Sequence, residues 1–335
     1  MDTTGTLDEA LARLHNSGPE RLGRLTNHAP MAVEALAAHG QAHSVHRWLD
    51  LYAPRLEEFP SGVEPVTDAN WFSALGDPRR AADWIGYFER EVAERCWHDV
   101  LTHWWPRLLP GLYGGSTHPV IRVGHAVRTL LSGEITEPRL AELAHGLGYW
   151  AARHRPAAVA SLPGADSAAD ALDAVPPVAV QEGGFSARFG RVRALPVWAP
   201  SVTEPSDAYR HLTELVRAAT HRYATHGHGA ETMLVHAATA PNAVLRALPA
   251  LPQALWLPSL RTAWTASAAV TAMYAPAAPV AYTPPGTFTP EEVFERALAH
   301  GDEHVIKLTD TALDVGDEPA LAAALRSMEL SAPLE

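Results

Sequence analysis

In the stretch HGDEHVIKLTD, His304 and Lys307 stand three residues apart, so an α-helix would project both from one face. Lys307 is the only lysine of the chain, against 25 arginines. A Glu-x-x-His pair at this spacing holds metals in helical bundles, and here a lysine occupies the place where an anion would be expected. An ammonium cannot ligate a metal. A buried lysine with a lowered pKa is a neutral amine, however, and such an amine takes up carbon dioxide to give a carbamate whose two oxygens resemble a long carboxylate. Asp302, Glu303 and Asp310 favour the competing reading, a surface lysine in solvated ion pairs.

The other histidines lie in distinct settings. His28 stands where a helix begins, in TNHAPMAVEALAAHG. His118 precedes Pro119 after a Gly-rich turn in YGGSTHPVIRVGHAVRTLL, and His125 follows seven residues on, two helical turns away, so both imidazoles can face one way. His236 interrupts the apolar run LVHAATAP, where a lone histidine is more often a hydrogen-bonded core residue than a ligand. HGHGAE is the densest histidine cluster, but it lacks a metalloprotease register and reads as a turn between helices. Trp97, Trp104 and Trp105, with His98 and His103, read as core and as the wall of a pocket for a flat ligand. Walker, dinucleotide and nucleophile-elbow fingerprints are absent.

These residues need helices to position them. Apolar residues recur at helical spacing, and the pattern predicts an all-α protein, a predominantly helical single globular unit over 1–335. Thr6 with Glu9 reads as a capping box for a first helix that buries Leu7, Leu11 and Leu14. Asn27 caps a second, with Pro30 in its first turn and Gly40 ending it. Further helices are predicted over 44–52, 79–109, 118–131, 137–154, 207–224, 231–240, 255–273, 290–299, 303–313 and 318–328. The Pro- and Gly-rich stretch 156–205 breaks the pattern and reads as a lid, an insertion or a linker.

Composition narrows the function classes. A formal charge of −12 disfavours nucleic acid and anionic membranes. No apolar run is long enough for a membrane span, and the N-terminus lacks a secretory pattern, so a cytoplasmic protein is the expectation. The single cysteine, Cys96, cannot form an intramolecular disulfide and is expected to be buried and inert.

Four segments, NHAPMAVEAL, YGGSTHPVIRVGHAVRTL, LVHAATAPNAV and GDEHVIKLTDTAL, occur in this order from Asn27 to about Leu313. Together they resemble the questin oxidase-like family, whose members act on anthraquinones and related polyketides. The resemblance implies a helical oxidoreductase. One ring-cleaving member is a mononuclear non-haem iron dioxygenase with iron held by four histidines and a carboxylated lysine; others are described as Baeyer–Villiger-type or NADPH-linked oxidases. Carried over by position, the resemblance implies His28, His118, His236, His304 and Lys307 as ligands of Fe(II). It makes an aromatic polyketide and dioxygen the substrates. His125, Tyr113 and Arg122 are then candidates for the chemistry, and Trp105 and Trp264 for contact with the flat substrate. A cofactor-independent oxidase, a zinc or manganese site, and a non-redox polyketide-binding protein or cyclase are the rival readings.

Overall fold

The computed structural model describes residues 3–22 and 25–334. Contacts divide the chain into two compact units, one running to Ala157 and including 246–252, the other formed by 158–245 and 253–334. Helices dominate both.

The first unit contains α1 (Thr3–Leu14), the short antiparallel strands β1 (Glu20–Arg21) and β2 (Leu25–Thr26), α2 (Ala29–Ala38), α3 (Val45–Tyr52), the single turn α4 (Trp71–Ala74), α5 (Ala81–Glu94), α6 (Trp97–Leu108), α7 (His118–Ser132) and α8 (Glu137–Arg153). Leu7, Leu11 and Leu14 are buried as expected, but α1 starts before Thr6, which therefore lies inside the helix rather than at its cap. Every residue of α2 from Ala29 to Leu36 is buried, as befits a helix apolar all round. Glu34 is its only charge. Helix α8 packs on both α5 and α7. Its Gly148 lets α5 approach closely, since a Cβ there would stand 2.7 Å from the Ile85 backbone nitrogen.

The helix expected over 79–109 is two helices, broken where Arg95 (φ −133°, ψ 155°) and Cys96 (φ −57°, ψ 130°) are extended. The reason lies in the apolar faces. Helix α5 buries Trp84, Ile85, Phe88 and Val92, and α6 resumes with Trp97, Val100, Leu101 and Trp104. In one continuous helix the step from Val92 to Trp97 would rotate the buried face by about 140°. The break realigns it. Cys96, expected to be buried, is exposed at this break. Of the aromatics expected as core and pocket wall, Trp104 lies in a cluster of other rings: it meets Trp71 at 5.3 Å, Trp84 at 5.4 Å, Tyr87 at 5.5 Å and Phe88 at 5.1 Å, all edge-on.

From residue 158 onward the chain forms β3 (Ala160–Ala165), α9 (Ala168–Asp173), α10 (Phe185–Phe189), β4 (Ala194–Trp198), α11 (Pro205–His226), α12 (Glu231–Leu234), α13 (His236–Ala247), α14 (Trp256–Tyr274), α15 (Pro290–His300), α16 (Glu303–Val315) and α17 (Glu318–Leu330). The stretch 156–205 is thus ordered around a parallel pair that sets Ala160 beside Ala194 and Ser161 beside Leu195, with α9 and α10 in the crossover. The helix expected over 231–240 is interrupted at Val235. Pro241 inside α13 has no N–H to offer the Ala237 carbonyl. Ser267 Oγ of α14 donates to that oxygen instead, at 2.7 Å. No helix among the described residues is long and apolar enough to cross a membrane.

Candidate functional site

In the first unit, two turns deliver two imidazoles. The Asn27 side chain accepts from the Ala29 N–H at 3.1 Å and donates to the Gly18 carbonyl at 3.1 Å, which fixes the start of α2. His28 is the N-cap residue, and its own N–H donates to the Tyr52 hydroxyl at 3.2 Å.

The second turn is strained. Gly115 (φ 56°), Ser116 (φ 56°) and Thr117 (φ 67°) are all left-handed, and a β-branched residue there costs on the order of 1–3 kcal/mol. Gly114 holds this turn against the end of α8, where a Cβ would collide with the Arg153 carbonyl oxygen. The tight turn brings the Gly115 carbonyl to 2.7 Å from His118 Nδ1. A carbonyl only accepts, so Nδ1 carries the proton and Nε2 the lone pair, the tautomer of a metal-ligating histidine. The His28 and His118 rings lie 4.5 Å apart with 32° between their planes.

In the second unit, His236 opens α13 and His304 is the second residue of α16. Gly301 (φ 79°) ends α15 in the left-handed region, and Asp302 then caps α16, accepting from His304 N at 2.9 Å and Val305 N at 3.1 Å. The His236 and His304 rings meet edge-on at 6.3 Å. Asp302, Glu303 and His304 bring ligand-type atoms within 4.8 Å of one another, but the Asp302 oxygen is engaged by the helix it caps.

Lys307 follows one turn after His304 and is 1% exposed, with no hydrogen-bond partner for Nζ among the described residues. The surface ion-pair reading therefore fails: Glu303 and Asp310 are buried too. Burial pushes the Lys307 ammonium down to about 8, and the charges of Glu303 and Asp302 offset only part of that. At such a value roughly a tenth to a fifth of the amine is neutral near physiological pH, far more than for an exposed lysine.

The remaining candidates have other neighbours. His125 Nδ1 lies 2.6 Å from Glu34 Oε2, two helical turns along α7 from His118. Arg122 is locked in a bidentate pair with Glu142, at 2.6 and 2.7 Å, with both side chains buried. Burial alone would raise the Glu142 carboxyl, but Arg122 and His15 outweigh it and hold it at about 2. Tyr113 is buried just before the strained turn. The fully buried Trp105 ring meets Trp150 edge-on at 5.3 Å. Trp264, in the second unit, donates from Nε1 to the Pro196 carbonyl at 2.8 Å and lies 5.6 Å from Trp198.

Glu34 lies outside the residues expected to form the site, although it is the one charge in the apolar run APMAVEALAA.

No curated protein matches the chain. A family model described as questin oxidase-like matches residues 25–311, a span that takes in both histidine pairs and Lys307. A match over most of the length of the chain settles its kinship, and the chain belongs to the questin oxidase-like family.

Proposed function

We propose that the protein is an iron-dependent oxygenase that cleaves or oxidises a quinone or hydroquinone ring of an aromatic polyketide, with His28, His118, His236, His304 and Lys307 holding the metal. Family membership makes it an oxidase or oxygenase acting on polyketide-type substrates; iron and the particular reaction are our reading. The observation that carries this reading is Lys307, a fully buried amine with no hydrogen-bond partner among the described residues, one helical turn from a buried histidine.

An isolated buried ammonium is costly, and a neutral amine or an anionic carbamate relieves that cost in different ways. Attack of the neutral amine on carbon dioxide forms one C–N bond and releases one proton, giving a ligand of charge −1. The donor set fits iron: four imidazoles and a carboxylate-like oxygen leave room for a further ligand in an octahedron. Iron, when bound, supplies the one-electron chemistry that lets dioxygen react with a closed-shell aromatic ring. The chain's own contribution is preparation. The Gly115 carbonyl sets the His118 tautomer, Asp302 fixes the first turn of α16, and the four histidines stand at or next to helix starts, where partial positive charge favours an anionic partner.

The test is metal analysis of purified protein together with oxygen uptake on an anthrone or quinone. Near-stoichiometric iron is expected, and both iron and turnover should be lost in Lys307→Ala and His304→Ala. Full turnover by metal-free protein rejects the reading. Uptake that requires added NADPH would assign the NADPH-linked chemistry instead, and stoichiometric zinc or manganese in the active protein would replace iron.

A further inference from the structure

The His28 and His118 rings meet at the starts of α2 and α7, and Glu34 links the same two helices farther along. Its carboxylate accepts from Arg128 Nε at 2.9 Å and Thr129 Oγ1 at 3.2 Å, pairs with His125 Nδ1 at 2.6 Å and is also bound by Arg128 Nη2. Residues 125, 128 and 129 share one face of α7, so a single carboxylate on α2 gathers a whole helical stripe.

Six residues separate His28 from Glu34 along α2, a rise of about 9 Å, and seven separate His118 from His125 along α7, about 10.5 Å. The two helices therefore run in the same direction and are tied twice at nearly equal intervals, like two rungs of a ladder. Sliding α2 against α7 would break the Glu34 rung and change the 4.5 Å separation of the imidazoles together. Apolar packing offers a weaker guard against such sliding, because three of the buried positions of α2, Ala29, Ala32 and Ala35, carry only a methyl group. A bidentate carboxylate facing an arginine fork fixes both distance and angle.

We propose that Glu34 is a positioning residue for the metal site: through His125, Arg128 and Thr129 it sets the register of α2 on α7 and so the spacing of His28 and His118. The inference rests on the metal-site reading of these histidines. It gives His125 a place in the scaffold rather than at the reacting atoms.

The experiment is titration of apo-protein with Co(II), following its visible d–d spectrum, for wild type, Glu34→Ala, Glu34→Gln and Asp83→Asn, with a melting temperature for each. Asp83 is a buried carboxylate of α5 that holds Arg80 at 2.6 Å and Val63 N at 3.0 Å, away from both α2 and α7, and it serves as a control of stability alone. Glu34→Ala is expected to weaken Co(II) binding on the order of 10–100-fold and to alter the spectrum. Glu34→Gln, which keeps an oxygen acceptor, should recover part of the affinity and the wild-type band shape. Asp83→Asn should lower the melting temperature and leave affinity and spectrum unchanged. Wild-type affinity and spectrum in both Glu34 variants, or an equal loss in Asp83→Asn, overturns the positioning role while leaving the metal reading intact. A wild type that binds no Co(II) and no iron overturns the metal reading and this inference with it.

Discussion

In the first unit, on the helices that carry or pack beside His28 and His118, the buried carboxylates Glu34 and Glu142 each face an arginine and a histidine. In the second unit Lys307, one turn from His304, is as deeply buried but has no hydrogen-bond partner for its amine among the described residues. In a hydrogen-bonded ionic cluster each charge offsets part of the desolvation cost of the other, and loss of one partner would leave the other uncompensated. A buried amine without a hydrogen-bonded counterion gets only part of that return, here from the charges of Glu303 and Asp302, and its presence calls for a reason outside stability. The contrast separates groups that hold the fold from a group that serves chemistry.

The largest effect expected from this contrast is chemical. Lys307→Arg keeps a cation but cannot form a carbamate, and it should lower iron content and oxygen uptake by more than about 100-fold, as read by metal analysis and an oxygen electrode. Lys307→Met should lose the same activity while making the apo-protein more stable, by about 1–3 kcal/mol in denaturant titration, because a thioether fills the site without a polar atom to desolvate. Apo-protein destabilised by Lys307→Met would mean that the amine has a structural partner, and the contrast would collapse.

The pH dependence of stability sharpens the same comparison. Folding lowers Lys307 from 10.5 to about 8, so between those values the unfolded chain holds a proton that the folded one has released. Stability of the apo-protein should therefore rise with pH across that window, by about 3 kcal/mol at most, and the rise should be missing in Lys307→Met. Glu34 acts at the acid end of the profile, with the same sign. Burial alone would raise its carboxyl, but the charge of Arg128 and the hydrogen bond and charge of His125 hold it well below 4.5. Its contribution is complete above pH 4.5 and is lost as the pH falls below that value, a limb that Glu34→Gln should flatten.

The smallest effect concerns the turn before His118. Ser116→Gly removes the penalty of a left-handed residue and should stabilise the protein by about 1 kcal/mol in thermal or denaturant unfolding. No gain would show that contacts of the Ser116 side chain offset its backbone strain.

Much of this architecture was legible in the sequence, for reasons that particular residues make plain. The segments that became α7, α8 and α16 have strong apolar periodicity, and Asp302 and Asp317 cap α16 and α17. The break at Arg95 and Cys96 carries neither proline nor glycine, and only the rotation of the buried face between Val92 and Trp97 could have disclosed it. The H-x-x-K spacing pointed to Lys307, but burial, which decides between ligand and surface ion pair, depends on contacts far away in sequence. Glu34 escaped because its partners lie 91, 94 and 95 residues on. Thr117 escaped because β-branched residues give no sign of a left-handed backbone. Aromatic residues such as Trp104 and Trp105 announce burial but do not say whether they face a cavity or one another.

The Gly114 contact has a consequence for how the molecule breathes. Because residue 114 lies against the Arg153 carbonyl and Leu112 bridges to Arg155, the turn that carries His118 is fastened to the last turn of α8 as well as to its own helix. Helix termini fray first, with opening free energies far below that of global unfolding. Amide hydrogen exchange over 112–118 should thus keep pace with exchange over 151–155 and outrun the interior of α7. The imidazole would then be released in step with the fraying of a neighbouring helix, well before its own helix unwinds.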